Sequence, residues 1–293
     1  MPPIRQLKPE EFFIDPQLRL RVLREPAHRV MVDQHSHDFE ELVIILSGRA
    51  THQVGRESYQ IGAGDVFVLL GGMSHCYPEV HGLSLINVLY DPAHIRLPLA
   101  DLGTLPGYHA LFRVEPTLRR HQHYHNRLKL TIEELGRLAG MVAELDQEIR
   151  LHPPGYRFMA TMHFMEIVGF LSRCYTRIPA LRTREVRPVT QISDLLSYME
   201  QHYRQPLAID DLLKVAHMSQ SSLFRTFRQI MGRSPLDYLI HLRVGKASQL
   251  LQRSTLRIRE VSDAVGFADS NYFTRQFRTI TGVSPREYRR RKV

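Results

Sequence analysis

His35, His37 and Glu41 stand at alternate positions of the run HSHDFEELVIILSG, and in extended chain that spacing puts all three on one face. Phe39, Val43 and Ile45 share the face, so two imidazoles and a carboxylate stand on an otherwise apolar, inward surface. Polar groups are costly there unless they bind something or one another. His75 adds a further imidazole after the next apolar run. His52, His81 and the cluster His121, His123 and His125 read instead as loop-surface histidines. A second set of residues has different chemistry. Gln220, Ser221, Ser222, Arg225 and Arg228 in one C-terminal segment match Ser270, Asn271, Thr274, Arg275 and Arg278 in another. Arginine pairs bidentately with guanine O6 and N7, and asparagine with adenine N6 and N7. The serines and the more C-terminal arginines suit phosphates.

The elements that must hold these groups are of two kinds. Residues 20–90 carry short alternating or apolar runs, Glu40–Leu46, Ser58–Ile61, Val66–Leu70 and Leu83–Tyr90, separated by glycines. That pattern predicts many short strands, in a sandwich or small barrel. From about residue 128 the period changes. Leu128, Ile132, Leu135, Leu138, Val142, Leu145 and Ile149 make one apolar stripe of a helix, which Pro153-Pro154-Gly155 stops. A second helix carries Met159, Met162, Ile167, Phe170 and Cys174. The pair could cap the barrel or join a second subunit, and the near-3.5-residue spacing of the first stripe favours a homodimer seam. Residues 178–190, with two prolines, three arginines and no periodicity, read as a linker between an effector-binding and dimerisation domain (1–177) and a helical domain (191–293).

The helical domain is a repeat of about fifty residues. Leu207, Ile209 and Leu212 recur as Leu256, Ile258 and Val261 at an offset of 49, as does Met218 at Phe267. Leu223, Arg225, Phe227, Arg228, Gly232, Ser234, Pro235 and Tyr238 then recur fifty residues on, from Phe273 to Tyr288. Each copy reads as helix, tight turn, helix. Ser219 caps the second helix of the first copy, Gly232 ends it, and Ser234-Pro235 opens the next. In the second copy Gly266 makes the turn, Ser270 or Asp269 caps, and Gly282 ends the helix. With the Leu223, Phe227 and Ile230 stripe inward, the matched arginines point out. Two such helices one helical repeat of DNA apart would enter successive major grooves.

Charge agrees. The chain has a net charge of +9, and residues 190–293 hold 17 Lys and Arg against 9 Asp and Glu. An excess of +8 in the last third favours a polyanion, because neutralising phosphates releases condensed counterions. Cys76 and Cys174 form no C-x-x-C pair, the N-terminus does not read as a signal peptide, and no apolar run approaches the ~20 residues of a membrane span. The expected location is the cytoplasm, with no membrane partner.

The run VSDAVGFADSNYFTRQFRTITGVSPREYRR resembles the signature segment of AraC/XylS-type transcriptional regulators, and the resemblance covers about residues 190–291. It implies double-stranded DNA as partner and a non-enzymatic regulator using both recognition helices, with Ser221, Ser222, Arg225, Asn271 and Arg275 carried over by position. The first helix of each unit departs from the family's small alanine, having Leu213 and Ser262. Residues 30–90 resemble a cupin barrel: H-x-H-x3-E-x6-G is complete at His35, His37, Glu41 and Gly48, and Gly64, Gly72 and His75 match a second motif. Leu70 and Glu79 depart from it. In metal-binding cupins these positions correspond to a ligand set of His35, His37, Glu41 and His75, suited to a divalent Zn, Fe, Mn or Ni. The alternative is that they bond one another or an effector hydroxyl without metal. HDFEELVI and LSLINVLYDP further resemble the sensor domains of L-rhamnose operon regulators, which implies a sugar-sized effector, held by candidates His35, His37, Glu41, His75, Tyr77 and Asn87.

The expected fold is thus α+β: a cupin-like β-barrel with two helices, then an all-α domain with two helix-turn-helix motifs. The expected function is a sugar-responsive transcription regulator, an activator of carbohydrate-utilisation genes with RNA polymerase as a further partner. A metal-dependent cupin enzyme with an appended helical domain, and a constitutive regulator whose barrel only dimerises, are the competing readings.

Overall fold

The computed structural model describes residues 5–28, 32–95, 99–120, 127–177 and 187–291. His121, His123 and His125 lie outside them, as does residues 178–186 of the linker. The chain divides into two units, Met1–Ser193 and Asp194–Val293.

In the first unit, β1 (Arg5–Leu7), α1 (Pro9–Phe12), β2 (Leu20–His28) and β3 (Val32–His37) lead into the long strand β4 (Glu40–Val54). Then come β5 (Glu57–Gly62), β6 (Asp65–Leu69) and a second long strand, β7 (His75–Tyr90). A short β8 (Leu128–Lys129) pairs with β6 and completes one sheet, ordered β1-β3-β7-β4-β6-β8, with β2 on β7 and β5 on β4. The sheet curls back on itself. His75 of β7 pairs with His35 on one side and Val54 on the other, while Glu41, at the opposite end of β4, reaches His75 through its side chain.

Curling gives the sheet two apolar faces. Val43, Ile45, Ala50, Val54, Ile61, Phe67, Leu69, Leu83 and Leu85 pack together inside. Leu42, Ile44, Val66, Val68, Ile86 and Val88 point outward, against helices. Before those helices come α2 (Leu99–Leu102), α3 (Pro106–His109), a π-helical turn at Ala110–Val114 and α4 (Glu115–Arg120). The helices that cover the sheet are α5 (Ile132–Leu151) and α6 (Tyr156–Arg177). Thr131 and Glu134 form a capping box that fixes the start of α5. The α5 stripe Leu138, Val142, Leu145 and Ile149 is buried in this core with Phe164, Ile167, Val168 and Leu171 of α6. The expected dimer seam is therefore used up within one chain. Leu128 belongs to β8, not to the helix, and Ile132 is 93% exposed.

Helix α7 (Arg187–His202) runs across the boundary between the units, and the second unit then holds α8 (Ile209–Ala216), α9 (Gln220–Met231), α10 (Pro235–Arg253), α11 (Ile258–Ala264), α12 (Ser270–Thr281) and α13 (Pro285–Arg290). Helix α7 opens at Arg187, so residues 187–190 are helical although prolines and lost periodicity read as linker; Pro188 falls in the first turn, where its missing N–H costs nothing. The local signals of the repeat all operate. Ser219 accepts from the Ser222 N–H, Asp269 from the Asn271 N–H, Ser234 from Asp237 and Ser284 from Glu287. Gly232 and Gly282 end α9 and α12 in the left-handed conformation. Among the described residues no helix is long and apolar enough to cross a membrane.

Candidate functional site

Helices α9 and α12 bury matching stripes, Leu223, Phe227 and Ile230 in one and Phe273 and Phe277 in the other. A helix with that stripe fixed inward must present the opposite face to solvent. Gln220, Ser221, Arg225 and Arg228 are exposed on α9, and Asn271, Arg275 and Arg278 on α12. Ser222, Ser270 and Thr274 are half-buried; the Thr274 hydroxyl donates to the Ser270 carbonyl at 2.9 Å, turning it back onto its own helix. The Arg275 guanidinium lies 6.0 Å from the Tyr272 ring, where a cation–π contact can orient it. In α8, Leu212 and Ala216 are fully buried and Leu213 only partly, while in α11 Ser262 is fully buried.

The two helix-turn-helix units are tied by a joint that the sequence did not announce. Arg243 of α10 donates from Nε to the Tyr203 carbonyl and from Nη2 to the Gln205 carbonyl, both at 2.8 Å. Its guanidinium also lies 5.7 Å from the Phe267 ring. Gly266, at φ +89°, brings the turn of the second unit so close that a Cβ would sit 2.5 Å from the Tyr203 carbonyl oxygen. Lys246 completes the joint with an ion pair to Glu200 at 2.8 Å.

Inside the curled sheet, three of the four proposed ligand-type residues converge. The donor atoms of His37, Glu41 and His75 lie within 4.8 Å of one another, and all three residues are buried. His37 Nε2 is 2.9 Å and His75 Nε2 is 3.4 Å from Glu41 Oε2. On the far side of the ring, His37 Nδ1 donates to the Phe39 carbonyl at 2.7 Å. A carbonyl can only accept, so Nδ1 holds a proton and Nε2 is aimed at the carboxylate. Burial pushes the Glu41 carboxyl up, but hydrogen bonds from His37 and His75 outweigh it and hold it well below the usual carboxylate range. Burial lowers the His37 imidazole, and bonding to Glu41 more than restores it, leaving it raised.

His35 is not part of this convergence. It is half-buried, its Nδ1 faces the Asp33 carbonyl at 2.9 Å, and only its ring edge meets His75, with centroids 4.3 Å apart. Burial, then the His75 charge, lowers its pKa. Tyr77 is buried with its hydroxyl unpartnered, and Asn87 is half-buried with a buried, unpartnered Oδ1. Two imidazole nitrogens and one carboxylate oxygen, each imidazole anchored through Nδ1 near a backbone carbonyl, suit a divalent metal of the Zn, Fe, Mn or Ni class.

His52 corrects the surface assignment. It is fully buried, with Nδ1 2.7 Å from the Tyr59 hydroxyl and its ring stacked against Phe67 and Tyr77. Strict alternation from Glu41 would point residue 52 outward. Register shifts between Ile45 and Ser47 and between Ser47 and Arg49 change the parity, so that Glu41, Val43 and Ile45 face inward first and Ala50, His52 and Val54 afterwards. Gly48, at φ +75°, lies within the second of those shifts, and a glycine inside a strand pattern is the sequence signal for such a bulge. His81 is exposed, although it lies in β7 and not in a loop.

Residues 16–152 match the AraC-like ligand binding domain, and residues 212–291 match a helix-turn-helix domain. The HTH-type transcriptional activator RhaR of Escherichia coli (strain K12) is 30% identical over 284 residues, which cover 97% of this chain and 96% of that protein. The chain belongs to the AraC family. RhaR of Shigella dysenteriae serotype 1 (strain Sd197) is likewise 30% identical, over 98% of this chain and 97% of its own. The DNA-binding domain of AdpA, solved in complex with a target DNA, is 30% identical over 34% of this chain and 90% of its own, with a TM-score of 0.33. This AraC-family protein is accordingly a DNA-binding transcription regulator with a ligand-binding N-terminal domain, in a family of regulators and not of enzymes.

Proposed function

We propose that this AraC-family regulator reads a specific DNA sequence with α9 and α12 and answers to a sugar-sized, hydroxylated effector held inside the curled sheet. Arg225, Asn271 and Arg275 are the base-reading residues; Gln220, Ser221, Ser222, Arg228, Ser270, Thr274 and Arg278 position the helices on the backbone. The observation that supports this reading is the matched pair Arg225 and Arg275, both exposed on helices whose opposite faces are buried. His37, Glu41, His75, Tyr77 and Asn87, with His35 at their edge, contact the effector. The relatives named as transcriptional activators favour activation, with RNA polymerase as the partner an activator must engage. The protein works in the cytoplasm as a homodimer. Since the α5 stripe is internal, the surface for the second copy is the apolar set Leu151, Phe158, Met159 and Met162, exposed at the α5–α6 end.

Effector binding shifts a regulator only through different affinities for its two arrangements, so the effector must bind the activating one more tightly. A divalent metal on His37, Glu41 and His75 would orient effector hydroxyls as a Lewis acid; elemental analysis of the purified protein tests for it. Selection of binding sites from random duplex DNA, followed by mobility-shift titration, tests the DNA reading. Arg275→Ala should weaken the selected site by about 1–3 kcal/mol and relax the base preference at one position, with steep loss of wild-type affinity as salt rises. Unchanged affinity and preference would remove α12 from the interface.

A further inference from the structure

The buried polar groups inside the sheet extend beyond the His37–Glu41–His75 cluster. His52 lies next to that cluster, its ring centroid 5.8 Å from that of His75. Phe67 at 5.0 Å and Tyr77 at 4.9 Å stack against it, and Tyr59 meets it in a T-shaped contact at 5.1 Å. Packed against three rings and fully buried, the imidazole is held in place by its neighbours.

One of them is accounted for. Arg119, almost fully buried and anchored by donation to the Val68 carbonyl at 3.0 Å, also donates to the Tyr59 hydroxyl oxygen. Arginine offers no acceptor, so Tyr59 receives from Arg119 at its oxygen, and its O–H can be given to His52 Nδ1, 2.7 Å away. A ring that accepts at Nδ1 carries its proton on Nε2. That N–H is buried and has no partner, and the hydroxyl of Tyr77, whose ring stacks on His52, is buried and unpartnered too. Two orphaned polar groups on stacked, buried side chains are rare in native proteins, and groups of this kind take a ligand or an ordered water as partner.

We propose that His52 Nε2 donates a hydrogen bond to an oxygen of a polyhydroxylated effector, with Tyr77 as its neighbour and Tyr59 and Arg119 as the positioning residues that fix its tautomer. This extends the effector reading above and rests on it. His37, Glu41 and His75 hold one edge of the sugar; His52 and Tyr77 read a hydroxyl deeper in. A pocket built this way discriminates strongly against a ligand that lacks that hydroxyl, because the buried N–H would stay unpaired. An apolar effector is disfavoured for the same reason.

The test uses calorimetric titration and thermal shift on the full chain, with a panel of aldopentoses, aldohexoses and 6-deoxyhexoses. His52→Phe keeps the stacked ring and removes the donor. The sugar bound by the wild type should bind this variant about tenfold to a hundredfold more weakly, while the unliganded melting temperature holds or rises. The monodeoxy analogue lacking the hydroxyl held by His52 should bind both proteins equally. His52→Gln, which restores an N–H donor, should recover part of the affinity, and it serves if the phenylalanine variant fails to fold. Equal sugar affinity in wild type and His52→Phe overturns the proposal and assigns Nε2 to a trapped water, even where Glu41→Gln abolishes binding. If no sugar of the panel binds the wild type, the sugar reading itself falls, and this inference with it.

Discussion

Gly266→Ala separates backbone conformation from close approach, because three glycines of the helical unit share one conformation and differ in surroundings. Gly232, Gly266 and Gly282 have φ of +71°, +89° and +80°. For an L-residue that region costs about 1–2 kcal/mol. At Gly232 and Gly282 an added Cβ would meet nothing within 4 Å, so alanine there should cost that amount and little more. At Gly266 the Cβ would lie 2.5 Å from the Tyr203 carbonyl oxygen and 2.8 Å from that of Arg204. Both obstacles are backbone, and Arg243 holds that segment in place. Displacing it adds an overpacking cost of about 1–3 kcal/mol, for roughly 2–5 kcal/mol in all. Hydrogen exchange of the α11 and α12 amides reads the local free energy of opening. Gly266→Ala should speed exchange there far more than Gly232→Ala does in α9 or Gly282→Ala at the end of α12, and should weaken DNA binding in parallel. Equal effects at Gly266 and Gly282 would refute the close approach as the reason for glycine.

Two further outcomes are expected. Burial holds the His109 imidazole down at about 4 from its ordinary 6.5, with only the Gly103 carbonyl bond at 2.7 Å opposing it. The unfolded chain therefore binds the proton first as pH falls, so stability should drop between about pH 6.5 and 4 by roughly 3 kcal/mol and then level off. Denaturant titration across that range should show the drop, and His109→Gln should flatten it; an unchanged slope in the variant assigns the acid sensitivity elsewhere. Arg243→Met removes both bonds to the Tyr203 and Gln205 carbonyls and should destabilise the helical unit by about 1–3 kcal/mol, with Arg243→Lys less harmful. An unaltered denaturation midpoint in Arg243→Met would show that the joint is held by packing alone.

What the sequence by itself determined was whatever depends on neighbours in the chain. Ser219, Ser234 and Ser284 cap because a hydroxyl reaches an amide three residues on, and the outward face of α12 follows from Phe273 and Phe277 turning inward. The duplication made these signals legible twice. Tertiary structure decided what local spacing leaves open. The α5 stripe had the period of a helix seam, but period does not name the partner, and the curled sheet took that face. Shifts of register midway along β4 changed which side chains look inward, which buried His52 and turned a surface histidine into part of the interior. His35 matched the ligand-type motif, yet its Nδ1 faces Asp33 and only His37, Glu41 and His75 converge. Gly266 and Arg243 acquire their roles only when the Tyr203–Gln205 segment, some forty to sixty residues earlier, folds against them. Alternation and helical period are one-dimensional rules; a bulge, a curl or a contact between distant segments changes their outcome without changing the pattern that announces them.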